Sequence, residues 1–299
     1  MSGGKGRLYR SLAEPSIQII GYVILVALSL YILTPFIWLF VTAFNPRGSP
    51  FLEIPENPTL NNFIAIFTGI RKYEGAAAHS IYMATWIQNS LIVAVTTMLT
   101  VIVTSAMAGY ALSRLEFPGK NLFMISLLLI GFMPSLTKLL PLYKLCIMFG
   151  FVNNLLGVGL VVASGTLPTQ IWVMKGFFDG IPRDLEEQAW ICGCNRLAAL
   201  FRVVLPAAGP GVMVTALMSF LSGWGNFTVP LILIRSEDLY PVALGIATIF
   251  THHPGEVGLV VDYGAVAALS IVYMIPSLII YYVTRRHLMT IRLARMEAR

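Results

Sequence analysis

The sequence predicts an all-α integral membrane protein with six transmembrane helices, and three observations carry that expectation. Of 299 residues, 57% are apolar and only 11% charged, whereas about a quarter of a soluble domain is charged. The mean hydropathy is +0.78. The charged residues are also spaced so that long charge-free runs separate them. So few charges cannot cover a water-facing surface, which excludes a cytosolic enzyme. The same apolar content excludes disorder. The expected surroundings are membrane lipid.

Six charge-free runs set the elements in order: 15–46, 75–113, 121–137, 145–174, 203–234 and 263–284. A charge at the bilayer centre costs roughly 3 kcal/mol, and a spanning helix needs about 20 apolar residues. Residues 1–16 form an N-terminal segment. The first run, apolar from Ile17 to Phe44, is too long for the apolar core of a cleaved signal and is kept as a span. A long loop, 45–85, follows it. The third run is short, but Lys138 can snorkel to the interface and let the span continue towards Leu142. Residues 57–70 and 239–255 are charge-free but short and broken by Pro or His, so they are expected as interfacial or packed loop helices. The transmembrane domain then covers 17–284, and 285–299 form a basic tail.

An even number of spans puts both termini on one side. With the N-terminus inside, fourteen Lys and Arg fall inside and six outside, which places both termini in the cytoplasm. The net charge of +6 is read as this orientation signal, and nucleic acid is not an expected partner. Cys146, Cys192 and Cys194 cannot build a disulfide framework, and Cys192-x-Cys194 lacks a second half-site for a metal. His79, His252 and His253 fall in expected external loops and read as surface or docking residues. The sequence contains no Walker A motif, no GxGxxG and no nucleophile elbow. No span carries a mid-depth acid, where a proton-coupled transporter would place one. Uphill movement would therefore draw its energy from a partner.

The segment between the fourth and fifth runs, about 179–207, reads as helix, turn, helix. Pro182 suits a helix start. Asp184 followed by Glu187 makes a capping pair, and acids suit a helix N-terminus. Leu185, Ala189 and Cys192 form one apolar stripe. Gly193 stands where a left-handed C-cap is wanted, and Pro206 introduces the next span. Capping pairs of this kind also occur in plain connectors.

The whole spacing is more specific. Glu187-Gln188-Ala189, three residues, Gly193, nine residues, Val203, one residue and Leu205-Pro206 resemble the EAA loop of ABC-importer permeases. Gln188 departs from the usual Ala, and Cys192 stands where sugar permeases commonly carry Asp. Further segments are similar to carbohydrate permeases: Pro58-Thr-Leu-Asn-Asn-Phe63, Ala111 to Lys120 with Phe117-Pro-Gly-Lys120, Pro134 with Pro141-Leu-Tyr143, Gly150 to Asn154, and Trp224-Gly-Asn226-Phe227. The resemblance covers roughly 58–284 and points to a carbohydrate-uptake ABC importer permease of the maltose-transporter smaller-permease type. The tail from Arg285 lacks that type's Gly-rich ending.

The resemblance implies a type I ABC importer permease fold and a multi-pass protein of the prokaryotic plasma (inner) membrane. It implies a second permease subunit, two ATPase subunits that bind ATP and Mg, and an extracytoplasmic binding protein that delivers a sugar. The long loop 45–85 is a candidate docking surface for that protein. This chain would bind no cofactor and catalyse no reaction. Glu187, Ala189, Gly193, Leu205 and Pro206 would couple it to the ATPases. Sugars are held by aromatic faces and by amide and hydroxyl groups, so Trp224, Asn226, Phe227 and Thr228, with Gln170, are candidates for the substrate path; helix packing is the alternative role for each. Three other readings of the chain remain: a permease for a non-sugar substrate, a secondary transporter, which would show internal repeats and a buried coupling residue, and a membrane scaffold without transport.

Overall fold

The computed structural model of the chain describes residues 3–46, 48–68, 83–133, 135–251 and 262–297. Among the described residues every regular element is helical. Pro134, His79, His252, His253 and residues 69–82 of the long loop lie outside them. The chain divides into two compact units, 1–79 with 260–272, and 80–259 with 273–299.

The first unit holds α1 (Gly3–Ala43), α2 (Asn61–Thr68) and the opening turns of α13 (Tyr263–Glu297). At 1.5 Å per residue α1 is about 60 Å long, twice the hydrocarbon thickness of about 30 Å. The N-terminal segment expected before the span is therefore the same helix carried onward. Residues 18–43 are the apolar part, and its most apolar 18-residue stretch has no buried residue. Where α1 stops, the Asn62 amide of α2 donates to the Ala43 and Asn45 carbonyls, each at 2.9 Å. These bonds answer acceptors that a helix end leaves open. The stretch 57–70 thus does contain the expected short helix, and Phe63 packs its ring 5.3 Å from that of Phe44.

The second unit is centred on α3 (Met83–Arg114), α6 (Leu155–Asp179) and α10 (Gly209–Trp224). Their backbones approach closely at glycines. A Cβ at Gly159 would stand 2.7 Å from the Thr96 Cβ, and one at Gly223 would stand 2.7 Å from the Ala94 Cα. Small residues at such crossings are how spanning helices pack without a hydrophobic drive between them. Thr97 Oγ1 adds a 3.0 Å bond to the Gly159 carbonyl. Near the start of α3, Asn89 donates to the Asp238 and Tyr240 carbonyls at 2.8 and 3.1 Å. Ser90 Oγ accepts the Val242 N–H at 2.8 Å. These bonds seat α12 (Val242–Thr251), the helix expected in 239–255.

Among the described residues four helices are long and apolar enough to cross a membrane, in α1, α3, α6 and α13, and a fifth results if a bent pair counts as one span. The remaining expected span is broken. α4 (Lys120–Phe132) ends at Met133, and α5 (Ser135–Met148) follows. Lys138 was expected to snorkel; its Nζ instead turns back and donates to the Ile130 carbonyl at 3.0 Å. A cation there satisfies a carbonyl at the negative end of α4. Because α5 runs to Met148, the fourth span begins at Leu155 and not at 145. Asn154 caps it, accepting from the N–H groups of Leu156 and Gly157.

The run 203–234 is charge-free yet not one helix. It begins inside a π-helical turn (Leu200–Val204), of which it holds the last two residues, and continues through α9 (Leu205–Ala207), α10 and α11 (Thr228–Leu233). The chain bends by 82° between Arg196–Ala207 and Gly209–Trp224. The cause is local: Pro206 and Pro210 bring no N–H to the helix, and Ala208 leaves helical geometry at ψ 16°. Finally, α13 passes 284 and continues to Glu297, so the basic tail starts as the sixth span's own helix.

Candidate functional site: the EAA-like loop and a neighbouring cavity

α7 (Asp184–Ile191) opens the loop between α6 and α10. The expected capping pair does not form. Arg183 holds the cap position in helical geometry without a side-chain bond, and Asp184 is already the first helical residue. Asp184, Glu186 and Glu187 all lie in the first turn, where they complement the helix dipole. The C-terminus follows expectation. Gly193 takes φ +85°, its N–H donates to the Trp190 carbonyl at 2.9 Å, and the Cys194 N–H donates to the Ala189 carbonyl at 3.0 Å. These two bonds form a Schellman cap. A Cβ at Gly193 would touch nothing within 4 Å, so conformation alone calls for glycine. Asn195 then caps α8 (Arg196–Ala199) by accepting from Ala198 N–H at 2.8 Å.

The buried face of α7 is not the expected stripe. Ala189 is buried, but Leu185 and Cys192 are exposed. The second buried residue is Glu186, at 2% exposure. It pairs with Arg114 Nε at the end of α3 and accepts from the Tyr110 hydroxyl at 3.1 Å. Arg114 also donates to the Ile181 carbonyl at 2.8 Å. A polar socket replaces apolar packing because a charged pair with its donors and acceptors matched can be buried. Glu187, Trp190, Ile191 and Leu197 point outward, and the Arg196 guanidinium lies 6.0 Å from the Trp190 ring centroid. Leu205 packs against the cluster of Tyr110, Met174, Phe178, Leu200 and Val204, while Pro206 is exposed. The five expected coupling residues thus fall on one loop but in different settings: Glu187, Gly193 and Pro206 outside, Ala189 and Leu205 against the bundle.

A cavity of about 740 Å³ opens between the α4–α5 break, α6 and the α10–α11 junction. Its polar wall includes Lys138, Ser164, Thr166, Ser222 and Asn226. Of the substrate candidates only Asn226 lines it. The Asn226 Oδ1 accepts the Val229 N–H at 3.0 Å, which starts α11. Trp224 is outside the wall and packed: it is 2% exposed and stacks on Tyr273 at 5.3 Å. Its Nε1 donates to the Tyr273 carbonyl at 3.1 Å, and the Tyr273 hydroxyl donates back to the Trp224 carbonyl at 3.0 Å. Its indole N–H and a ring face are already engaged, which leaves little for a sugar. Phe227 and Thr228 are not in the cavity wall. Gln170 is buried, with an Oε1 that no described group satisfies, and it too is outside the wall.

Tyr110, Arg114 and Glu186 escaped the reading of the sequence. The available signal was the doubled acid Glu186-Glu187 followed by Ala189, which puts Glu186 and Ala189 three apart on one helix face.

Residues 101–289 match the model of the family described as "Binding-protein-dependent transport system inner membrane component". The chain belongs to this family of membrane transport components. It is 29% identical over 276 residues to the trehalose/maltose transport system permease protein MalG of Thermococcus litoralis, covering 91% of this chain and 92% of that one. The trehalose transport system permease protein SugB of Mycobacterium tuberculosis is 30% identical over 260 residues, covering 86% and 89%. The arabinooligosaccharides transport system permease protein AraQ of Halalkalibacterium halodurans is 28% identical over 259 residues, covering 85% and 86%. A chain in the crystal structure of a bacterial ABC transporter involved in alginate import shares the fold. Its TM-score is 0.77 at 19% identity, over 92% of this chain and 97% of that one.

Proposed function

We propose that the chain is a membrane-spanning permease subunit of an ATP-driven, binding-protein-dependent importer of sugars or oligosaccharides. The family and the sugar transport of the relatives support this reading. So does a cavity whose wall offers hydroxyls and one amide. A second permease completes the path, two ATPase subunits hold ATP and Mg, and an extracytoplasmic protein delivers the sugar. Both termini face the cytoplasm. This chain holds no nucleotide.

The observation that carries the coupling role is α7 itself, a short helix with Glu187 turned outward and a Schellman cap at Gly193. Closure of the ATPase dimer displaces this loop and shifts the spans between inward- and outward-facing populations; the bias equals the difference in affinity for the two states. Trp190, Ile191 and Leu197 provide an apolar contact surface beside Glu187.

Gly193→Val and Glu187→Lys test the proposal in the reconstituted importer. The first strains a left-handed residue by about 1 kcal/mol or more. The second reverses a charge at the positive end of α7. Both variants are expected to insert in the membrane and to lose ATPase co-purification or the hydrolysis stimulated by loaded binding protein. Normal attachment and normal stimulation in both would make the loop a plain connector. Cysteine labelling that places residue 190 outside the cell would end the ATPase reading altogether.

A further inference from the structure

Two side-chain groups join α3 to the segment that leads into α7. Ser113 donates to Asp179 Oδ1 at 2.6 Å, and Lys175 donates to Asp179 Oδ2 at 2.6 Å. Next to Ser113, Arg114 holds both Glu186 and the Ile181 carbonyl, while Tyr110 takes the other Glu186 oxygen. The side chains of Arg114 and Glu186 are 8% and 3% exposed. The other end of the loop is held differently. There Leu200, Val204 and Ala208 make apolar contacts across a π-helical turn and an 82° bend.

We infer that Arg114 and Glu186 are positioning residues that weld α7 to α3, so that displacement of the loop moves α3 with it. The inference rests on the importer reading above. Apolar contacts can slide and repack with little loss of area, whereas a guanidinium fork fixes both distance and direction. An eight-residue helix has little orientation of its own, and α7 buries only Glu186 and Ala189. Its angle to α3 is therefore set by the ion pair. α3 packs along both α6 and α10, so a weld at its end passes motion to the cavity wall.

The assembled importer in nanodiscs tests this with Mg–ATP and vanadate, which trap the ATPases closed. One spin-label pair, at Met107 and Gln188, reads α3 against α7. A second pair, at Thr137 and Ser222, reads the cavity. In the native chain the first distance stays fixed on trapping and the second changes. Removing one partner, as in Arg114→Met, leaves a buried unpaired charge and can prevent assembly; replacing both by apolar residues removes that penalty. The double variant Arg114→Met/Glu186→Met is therefore decisive. It is expected to assemble and hydrolyse ATP, to let the first distance change on trapping, and to weaken the cavity response about ten-fold, a usual size for a coupling between two sites. Arg114→Lys keeps the charge without the fork and falls between. A double variant with a native cavity response overturns the weld, as does a first distance that already changes in the native chain. Failure of the native chain to co-purify with ATPases instead removes the importer reading, and the weld with it.

Discussion

α1 and α3 are nearly equal in hydropathy, 2.4 and 2.2 over their most apolar stretches, yet none of that stretch is buried in α1 and 33% is buried in α3. The two helices use the same small polar residues in opposite ways. In α1, Ser29 and Thr34 donate to Leu25 and Leu30, carbonyls of their own helix. In α3, Thr97 donates to Gly159 of α6, and Ser90 accepts from Val242 of α12. A helix that is apolar all round meets lipid or another apolar surface, while one that must grip its neighbours needs small residues and polar donors at the crossings. Hydropathy measures only what the two share.

Substitutions can break this contrast, and the largest effect is expected at the glycine crossings. Gly159→Leu drives a side chain into Thr96 and should cost about 3 kcal/mol, the upper range for overpacking. Gly21→Leu in α1 meets open space and should leave stability unchanged. Thermal midpoints of the two variants in one detergent check the pair. Equal shifts would remove the distinction between the helices.

Asn89→Ala is expected to rank next. It strips the Asp238 and Tyr240 carbonyls of their shared donor and should cost about 2 kcal/mol, the penalty for polar groups left unanswered. Faster proteolysis between residues 235 and 242, with α6 still protected, is the expected signature.

The smallest effect sharpens the comparison most. Thr97→Val removes a bond between helices and should cost about 0.6 kcal/mol, the usual size inside membranes. Thr34→Val removes a bond within α1 and should cost nothing measurable. Chemical denaturation of the two variants side by side separates them.

Much of the fold was legible because it depends on what neighbours along the chain can do. Charge-free runs marked the apolar helices, since charges are excluded from lipid at every point of the chain. Gly193 announced its left-handed cap, since only residues 189–194 take part in it. Asn62 and Lys138 show the limit. Both stand in segments whose helices were expected, but each bonds a helix end that is remote or newly made by a break. The break at Met133 and the bend at Ala208 leave the runs charge-free, so a count of charges passes over them. Trp224 was read as a sugar platform because an aromatic beside an amide suits that chemistry. Only the arrival of Tyr273 from α13, 49 residues away, showed that its ring and N–H were already in use.

Glu186 and Glu187 show the division most plainly. They are the same residue at successive positions in one helix turn, with the same propensity and the same effect on the helix dipole. The sequence by itself determined that a helix with an acidic first turn would stand at this place and end in a left-handed cap at Gly193. The resemblance gave the coupling role to Glu187, and that residue is exposed in the fold. That Glu186 would be buried with a charge was decided only when α3 brought Arg114 and Tyr110, 72 and 76 residues distant, against that face. A carboxylate is held out of water only by partners that meet it in space, and the tertiary structure alone supplies them.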